Sequence, residues 1–141
     1  MPQSAAQMYA LVADVERYPE FLPGCRDLRV ISRRSEDGLE IITADMVIGY
    51  KLIRETFRSR VTLDAGKKSI MVHYLKGPFR NLDNNWRFLD LDDGGSEIEF
   101  FIEFELRRRG LGMLVGGLFE HTFMRLLDAF EQRALQVYQN K

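Results

Sequence analysis

The chain predicts an α+β fold, a curved antiparallel sheet wrapped around a long C-terminal helix, with two short helices at the N-terminus. Three observations carry that expectation. First, residues 97–106 alternate, with Ile98, Phe100, Ile102, Phe104 and Leu106 against Glu97, Glu99, Glu103 and Glu105, and only Phe101 breaks the pattern. A strand with one wet face belongs to an antiparallel sheet. Second, Phe119, Phe123, Leu126, Leu127, Phe130, Ala134 and Val137 form a core stripe at helical spacing in a segment that runs to about Tyr138. That helix is the only element long enough to cover the dry face of the sheet. Third, the segment 14–25 (DVERYPEFLPGC) places Tyr18, Phe21 and Leu22 around two prolines, giving a short turn more large apolar groups than it can leave exposed.

The elements follow in order. Ser4-Ala5-Ala6-Gln7 reads as a capping box, and Met8, Leu11, Val12 and Val15 then recur at helical spacing to about Val15. Pro19 and Pro23 allow at most a short second helical turn. From Arg26 the period becomes two, with Leu28, Val30 and Ser32 on one face and Asp27, Arg29 and Ile31 on the other. Glu36-Asp37-Gly38 signals a hairpin. Residues 39–48 make a second strand, apolar on both faces. Residues 49–63 make a third, with Ile53, Phe57 and Val61 opposed to Arg54, Arg58 and Arg60. A turn at Ala65–Lys68 leads to a fourth strand over 69–75. Gly77-Pro78 breaks the chain before a fifth strand over 79–91, which carries Trp86 and Phe88 on one face. Asp92-Asp93-Gly94-Gly95 turns into the sixth. No repeat, low-complexity segment or linker interrupts the 141 residues, so a single domain over 1–141 is expected.

Composition narrows the function classes. The formal net charge of −1 gives no global pull toward nucleic acid, and no DNA partner is expected. The single cysteine, Cys25, cannot form an internal disulfide and suits a reducing compartment. No signal-peptide pattern opens the chain and no run of about 18 apolar residues spans a bilayer. A cytoplasmic protein, at most peripheral to the inner membrane, is the expectation.

Reactive constellations are missing from the pattern. His73 and His121 lie on different elements, with no partner at metal-ligand spacing. Cys25 has no adjacent basic group to lower its pKa. The Asp90–Gly95 run fails as a calcium loop because its fifth position is Gly94 and its twelfth is Phe101. Gly110-Leu111-Gly112 precedes a helix without the Lys-Ser/Thr of a phosphate cradle. No catalytic residue and no metal is expected. What remains is a gap between curved sheet and helix, suited to an apolar ligand. Inward parity and the helix stripe put Met46, Phe57, Trp86, Phe88, Phe104 and Phe123 on that gap, with Phe79 and Phe119 beside them. Tyr18, Phe21 and Leu22 would close one end as a rigid lid. Glu55 shares the inward parity of Phe57, and a buried carboxylate must be paired or protonated. It is either paired to an arginine from a neighbouring strand or the anchor for a ligand oxygen. Arg107, Arg108 and Arg109 abut Leu111, Met113, Leu114 and Val115. This stretch either starts the core helix or forms a mouth that docks on an anionic membrane surface.

The segments DVERYPEFLP (14–23), GPFRNLDNNWRF (77–88) and IEFFIEFEL (98–106) resemble the coenzyme Q-binding START-like family. That family sits within the polyketide cyclase and lipid-transport superfamily, with the helix-grip (START/Bet v 1-like) fold, and includes bacterial ribosome association toxins. The resemblance covers nearly the whole chain. It implies a non-enzymatic protein with no covalent cofactor that holds ubiquinone or a related polyprenyl lipid and supports respiration. The alternative it implies is a toxin that binds the large ribosomal subunit and blocks subunit joining. RNA binding favours a basic face with exposed aromatics, whereas the aromatics here sit mainly on inward parities, so the lipid is the favoured expectation. The family opens with a strand before its first helix, whereas only Met1-Pro2-Gln3 precede Ser4 here, which would leave a sheet edge in need of a partner.

Overall fold

The computed structural model describes residues 1–50, 53–106 and 125–138. Helix α1 spans Ala5–Ala13, and a 3₁₀ turn spans Val15–Glu20. Six strands follow: β1 (Cys25–Glu36), β2 (Leu39–Tyr50), β3 (Ile53–Asp64), β4 (Ser69–Lys76), β5 (Phe79–Asp90) and β6 (Ser96–Leu106). Residues 125–138 are α-helical and are called α2. The expected start of that helix, with Phe119 and Phe123, lies outside the described residues, as does the 107–115 stretch.

The capping box at Ser4 is present in full. The Ser4 hydroxyl accepts from the Gln7 amide at 3.1 Å, and the Gln7 side chain accepts from the Ser4 amide at 2.9 Å. The helix stops at Ala13, short of Val15, because Asp14 leaves helical dihedrals (φ −83, ψ 69). The chain then continues in the tighter 3₁₀ form with Pro19 inside it. Phe21 and Leu22 donate their amides back to the Tyr18 carbonyl at 3.2 and 2.9 Å, which satisfies the proline-bounded turn internally.

The sheet is an antiparallel meander in the order β1-β2-β3-β4-β5-β6. Asp37 and Gly38, both at positive φ, close the β1–β2 hairpin with Glu36 opposite Leu39. Irregularities interrupt the ladders at Cys25/Asp27, Val30/Ser32, Arg58/Ser59 and Phe79/Asn81. Bulges bend and twist a sheet locally, and these supply curvature. The one at Val30/Ser32 also changes the phase of β1. Ser32, expected on the face of Leu28 and Val30, is exposed.

The concave face is dry. Ile42, Ala44, Phe57, Val61, Leu63, Ile70, Trp86 and Phe88 are all buried there. Helix α2 lies against it through Leu126, Phe130 and Ala134, at a spacing of four. Val137 is 47% exposed, off that row. Tyr138 takes the fourth position instead and donates its hydroxyl to the Gln7 carbonyl at 3.1 Å, tying α2 to α1. At the other end of the face, Gly77 (φ +151) turns β4 into β5 tightly enough that a Cβ there would sit 2.7 Å from the Phe57 Cβ. Ahead of α1, Met1 exchanges both backbone hydrogen bonds with Ser96, at 2.9 and 3.1 Å, covering the first residue of the β6 edge.

Candidate functional site

A cavity of about 90 Å³ lies between the concave face and α2. The 3₁₀ turn contributes Val15 and Tyr18, followed by Leu22. The strands contribute Leu28, Ala44, Met46, Phe57, Trp86 and Phe100, among others, and α2 contributes Leu126 and Phe130. Each strand residue reaches the wall by the period-two rule: Leu28 faces Met46 across β1–β2, and Met46 faces Phe57 across β2–β3. Ligand pockets run from roughly 300 to 1,000 Å³, so this enclosed space is small for a ligand site and has room for one end of an apolar molecule.

An aromatic cluster fixes the wall. The Trp86 ring lies edge-on to Phe100 at 4.6 Å and to Phe130 at 5.6 Å, and stacks on Phe88 at 6.0 Å. Phe130 also meets Tyr18 at 5.3 Å and Phe21 at 5.2 Å, both edge-on. Such pairs are worth about 0.5–1.5 kcal/mol each beyond the area they bury. Trp86 is further held by polar contacts. Its indole N–H donates to the Asn84 Oδ1 at 2.9 Å, and the Asn84 Nδ2 donates to the Phe101 carbonyl at 2.8 Å. The Tyr18 hydroxyl donates to the Val12 carbonyl, and burial pushes its pKa far above the ordinary value, so it stays protonated.

Among the described residues, three buried side-chain oxygens have no hydrogen-bond partner: Gln3 Oε1, Ser59 Oγ and Ser96 Oγ. Ser59 is the one of these that lines the cavity. Burying a hydroxyl without a partner costs about 1–3 kcal/mol.

The expected site residues separate into groups. Tyr18, Leu22, Met46, Phe57 and Trp86 meet on the cavity wall. Phe88 lies behind the Trp86 ring rather than on the wall. Phe21 packs on the outer side of Tyr18 and Phe130, beneath the Arg133 guanidinium at 5.0 Å, and lines a separate polar groove. Phe79 and Phe104 gather with Ile48, Phe57 and Leu82 in a second cluster at the Gly77 end. Glu55 keeps its inward parity opposite Ile48 but is half-buried near the start of β3, away from the wall, and has no ion-pair partner among the described residues. Sequence reasoning missed Ser59 and Asn84. Their signal was a polar side chain at an inward-parity position, the same signal that singled out Glu55.

Among the described residues, the other polar groups do not gather into a reactive centre. Burial pushes the Cys25 thiol up to about 12, and it donates to the Asp27 carbonyl at 3.7 Å. His73 is exposed on the outer face of β4. Among the described residues, no three His, Cys, Asp or Glu side chains come together as metal ligands, and no helix is long and apolar enough to cross a membrane.

Residues 1–131 match the family model described as polyketide cyclase/dehydrase and lipid transport. The chain is 36% identical over 138 residues to the ribosome association toxin RatA of Escherichia coli K12, covering 98% of this chain and 84% of that protein. It is 25% identical over 138 residues to the mitochondrial coenzyme Q-binding protein coq10 of Schizosaccharomyces pombe, covering 95% and 82%. A START superfamily protein from Mycobacterium smegmatis shares the fold, with a TM-score of 0.79 at 18% identity, over 97% of this chain and 93% of that one.

Proposed function

The chain belongs to the polyketide cyclase/dehydrase and lipid transport family, and from that premise we propose that it binds ubiquinone or a related polyprenyl lipid with one end seated in the cavity, turns nothing over, and serves respiratory electron transport as a binding protein. The observation that carries this reading is the chemistry of the wall. Apart from Ser59 and Asn84, the described residues that line it are aliphatic or aromatic, and none of them carries a charge. Such a surface rewards a hydrocarbon with roughly 0.8 kcal/mol per buried carbon and offers no acid-base pair. The name of the coq10 relative supports the same choice. Tyr18, Phe21 and Leu22 act as the lid at one end.

In this reading Arg107, Arg108 and Arg109 with Leu111, Met113, Leu114 and Val115 form the mouth that docks on an anionic membrane surface. That assignment rests on their order in the sequence. Changing Leu114 and Val115 to Glu should weaken co-sedimentation with anionic liposomes, and unchanged sedimentation would refute the assignment.

A second reading, association with the ribosome, is favoured by the RatA relative and by one feature of the outer face. Exposed Arg54, Arg58 and Arg60 alternate along β3. Asp45 engages Arg58 through two hydrogen bonds, at 2.8 and 3.1 Å, and the guanidinium holds the Asp45 carboxyl below its usual range. Arg54 and Arg60 have no ion-pair partner among the described residues, leaving two cations in line for phosphates. One experiment separates the readings. The protein is purified from its own host, its lipids are extracted for mass spectrometry, and the same sample is run on a sucrose gradient with ribosomal subunits. A stoichiometric polyprenyl lipid is expected. Stoichiometric ribosome binding without lipid, abolished by Arg54→Glu with Arg60→Glu, would replace the first reading by the second.

A further inference from the structure

Ser59 sits in the middle of β3 on the concave face, with Ala44 opposite on β2 and Tyr74 opposite on β4. It is 6% exposed, and its Oγ has no hydrogen-bond partner among the described residues. Nothing among the described residues uses that hydroxyl, and alanine would fill most of the position without burying an unmatched donor. The other polar groups on the wall are engaged. The Trp86 indole donates to Asn84, Asn84 donates to the Phe101 carbonyl, and the Tyr18 hydroxyl donates to the Val12 carbonyl. Ser59 also lies at the β3–β4 register shift, where Arg58 faces Lys76 and Ser59 faces Tyr74. Bulges concentrate at positions where a strand re-aims a side chain for function.

We propose that Ser59 is the polar subsite of the cavity, its O–H donating to a carbonyl oxygen of a ligand that is otherwise hydrocarbon, such as a prenylated quinone or prenyl ketone. This rests on the lipid reading above and adds the group recognised and the residue that recognises it. The ligand then seats carbonyl first, with its ring against Ala44, Met46 and Phe57, neighbours of Ser59 on β2 and β3. A hydrocarbon of the same shape leaves the hydroxyl unmatched, so the site discriminates against it.

The test is Ser59→Ala with two probes, a benzoquinone carrying a ten-carbon prenyl tail and a benzene carrying the same tail. Trp86, the single tryptophan of the chain, lines the cavity and reports quinone binding by fluorescence quenching. The benzene is measured by competition with the quinone. Ser59→Ala should weaken the quinone about tenfold, leave the benzene unchanged, and melt no lower than the wild type. Equal affinities for the quinone in both proteins, or equal losses for both probes, would overturn the subsite while leaving the lipid reading intact. If the wild type binds neither probe, the lipid reading falls and the subsite with it.

Discussion

Replacing Ala44 by Leu fills the candidate site with the protein's own atoms, and the expected changes in stability and binding have opposite signs. Ala44 is 6% exposed, lies on the cavity wall, and stands between Val30 on β1 and Ser59 on β3. Two routes give the size of the effect. At about 24 cal/mol per Å³, an empty space of about 90 Å³ costs the fold about 2 kcal/mol. Adding three buried carbons at about 0.8 kcal/mol each gives about 2.4 kcal/mol. Fixing the leucine rotamer takes back about 0.5–1 kcal/mol. The variant should therefore gain about 1–2 kcal/mol, which is roughly 3–7 °C in Tm for a domain of this size. The lipid loses the same space, so affinity for a prenylated benzoquinone should fall at least about tenfold, equivalent to about 1.4 kcal/mol. Urea unfolding gives the first quantity and Trp86 quenching the second. A natural ligand site behaves this way because residues kept small for function are not optimal for stability. A variant that is less stable and binds the quinone as before would refute the reasoning, because overpacking costs about 1–3 kcal/mol and the void would then not be open at Ala44.

Asn84→Ala should cost about 2–4 kcal/mol, because it strands the buried Trp86 indole N–H and releases the Phe101 carbonyl. In a double-mutant cycle with Trp86→Phe the losses should couple by about 1 kcal/mol or more, and additive losses would show that the hydrogen bond contributes nothing. The folded state holds the Cys25 proton up to a pKa of about 12 against an ordinary 9.0. Its contribution is therefore complete below pH 9.0 and lost as pH rises toward about 12. Cys25→Ala should keep more of its pH 7 stability at pH 11 than the wild type, and parallel stability–pH curves would contradict the assignment. The same burial should make native Cys25 react with thiol reagents far more slowly than the unfolded chain does.

Much of the fold was legible because its signals are local. The capping box at Ser4, the Asp37-Gly38 turn, the Gly77-Pro78 break and the Glu97–Leu106 alternation each state their meaning within a few residues, and the observed elements begin and end within a few positions of the expected ones. Errors came where one element answered to another. A bulge against β2 reversed the phase of Ser32, and the register of α2 on the sheet selected Tyr138 over Val137.

The candidate site divides along the same line. Strand periodicity determined which side chains face inward, so Met46, Phe57 and Trp86 could be assigned to the interior from the chain alone, and Tyr18 and Leu22 from the proline-bounded turn. It could not determine where along the concave face each one lands. Glu55 and Ser59 share one face of β3, four residues apart, yet only Ser59 lies on the cavity wall. Phe79 and Phe104 share the inward face with Trp86, yet belong to a different cluster. Alternation fixes a face because it follows from the geometry of a single strand. Position along that face follows from the curvature added by bulges and from where α2 and the 3₁₀ turn come to rest, and those depend on contacts between residues as far apart as Tyr18 and Phe130.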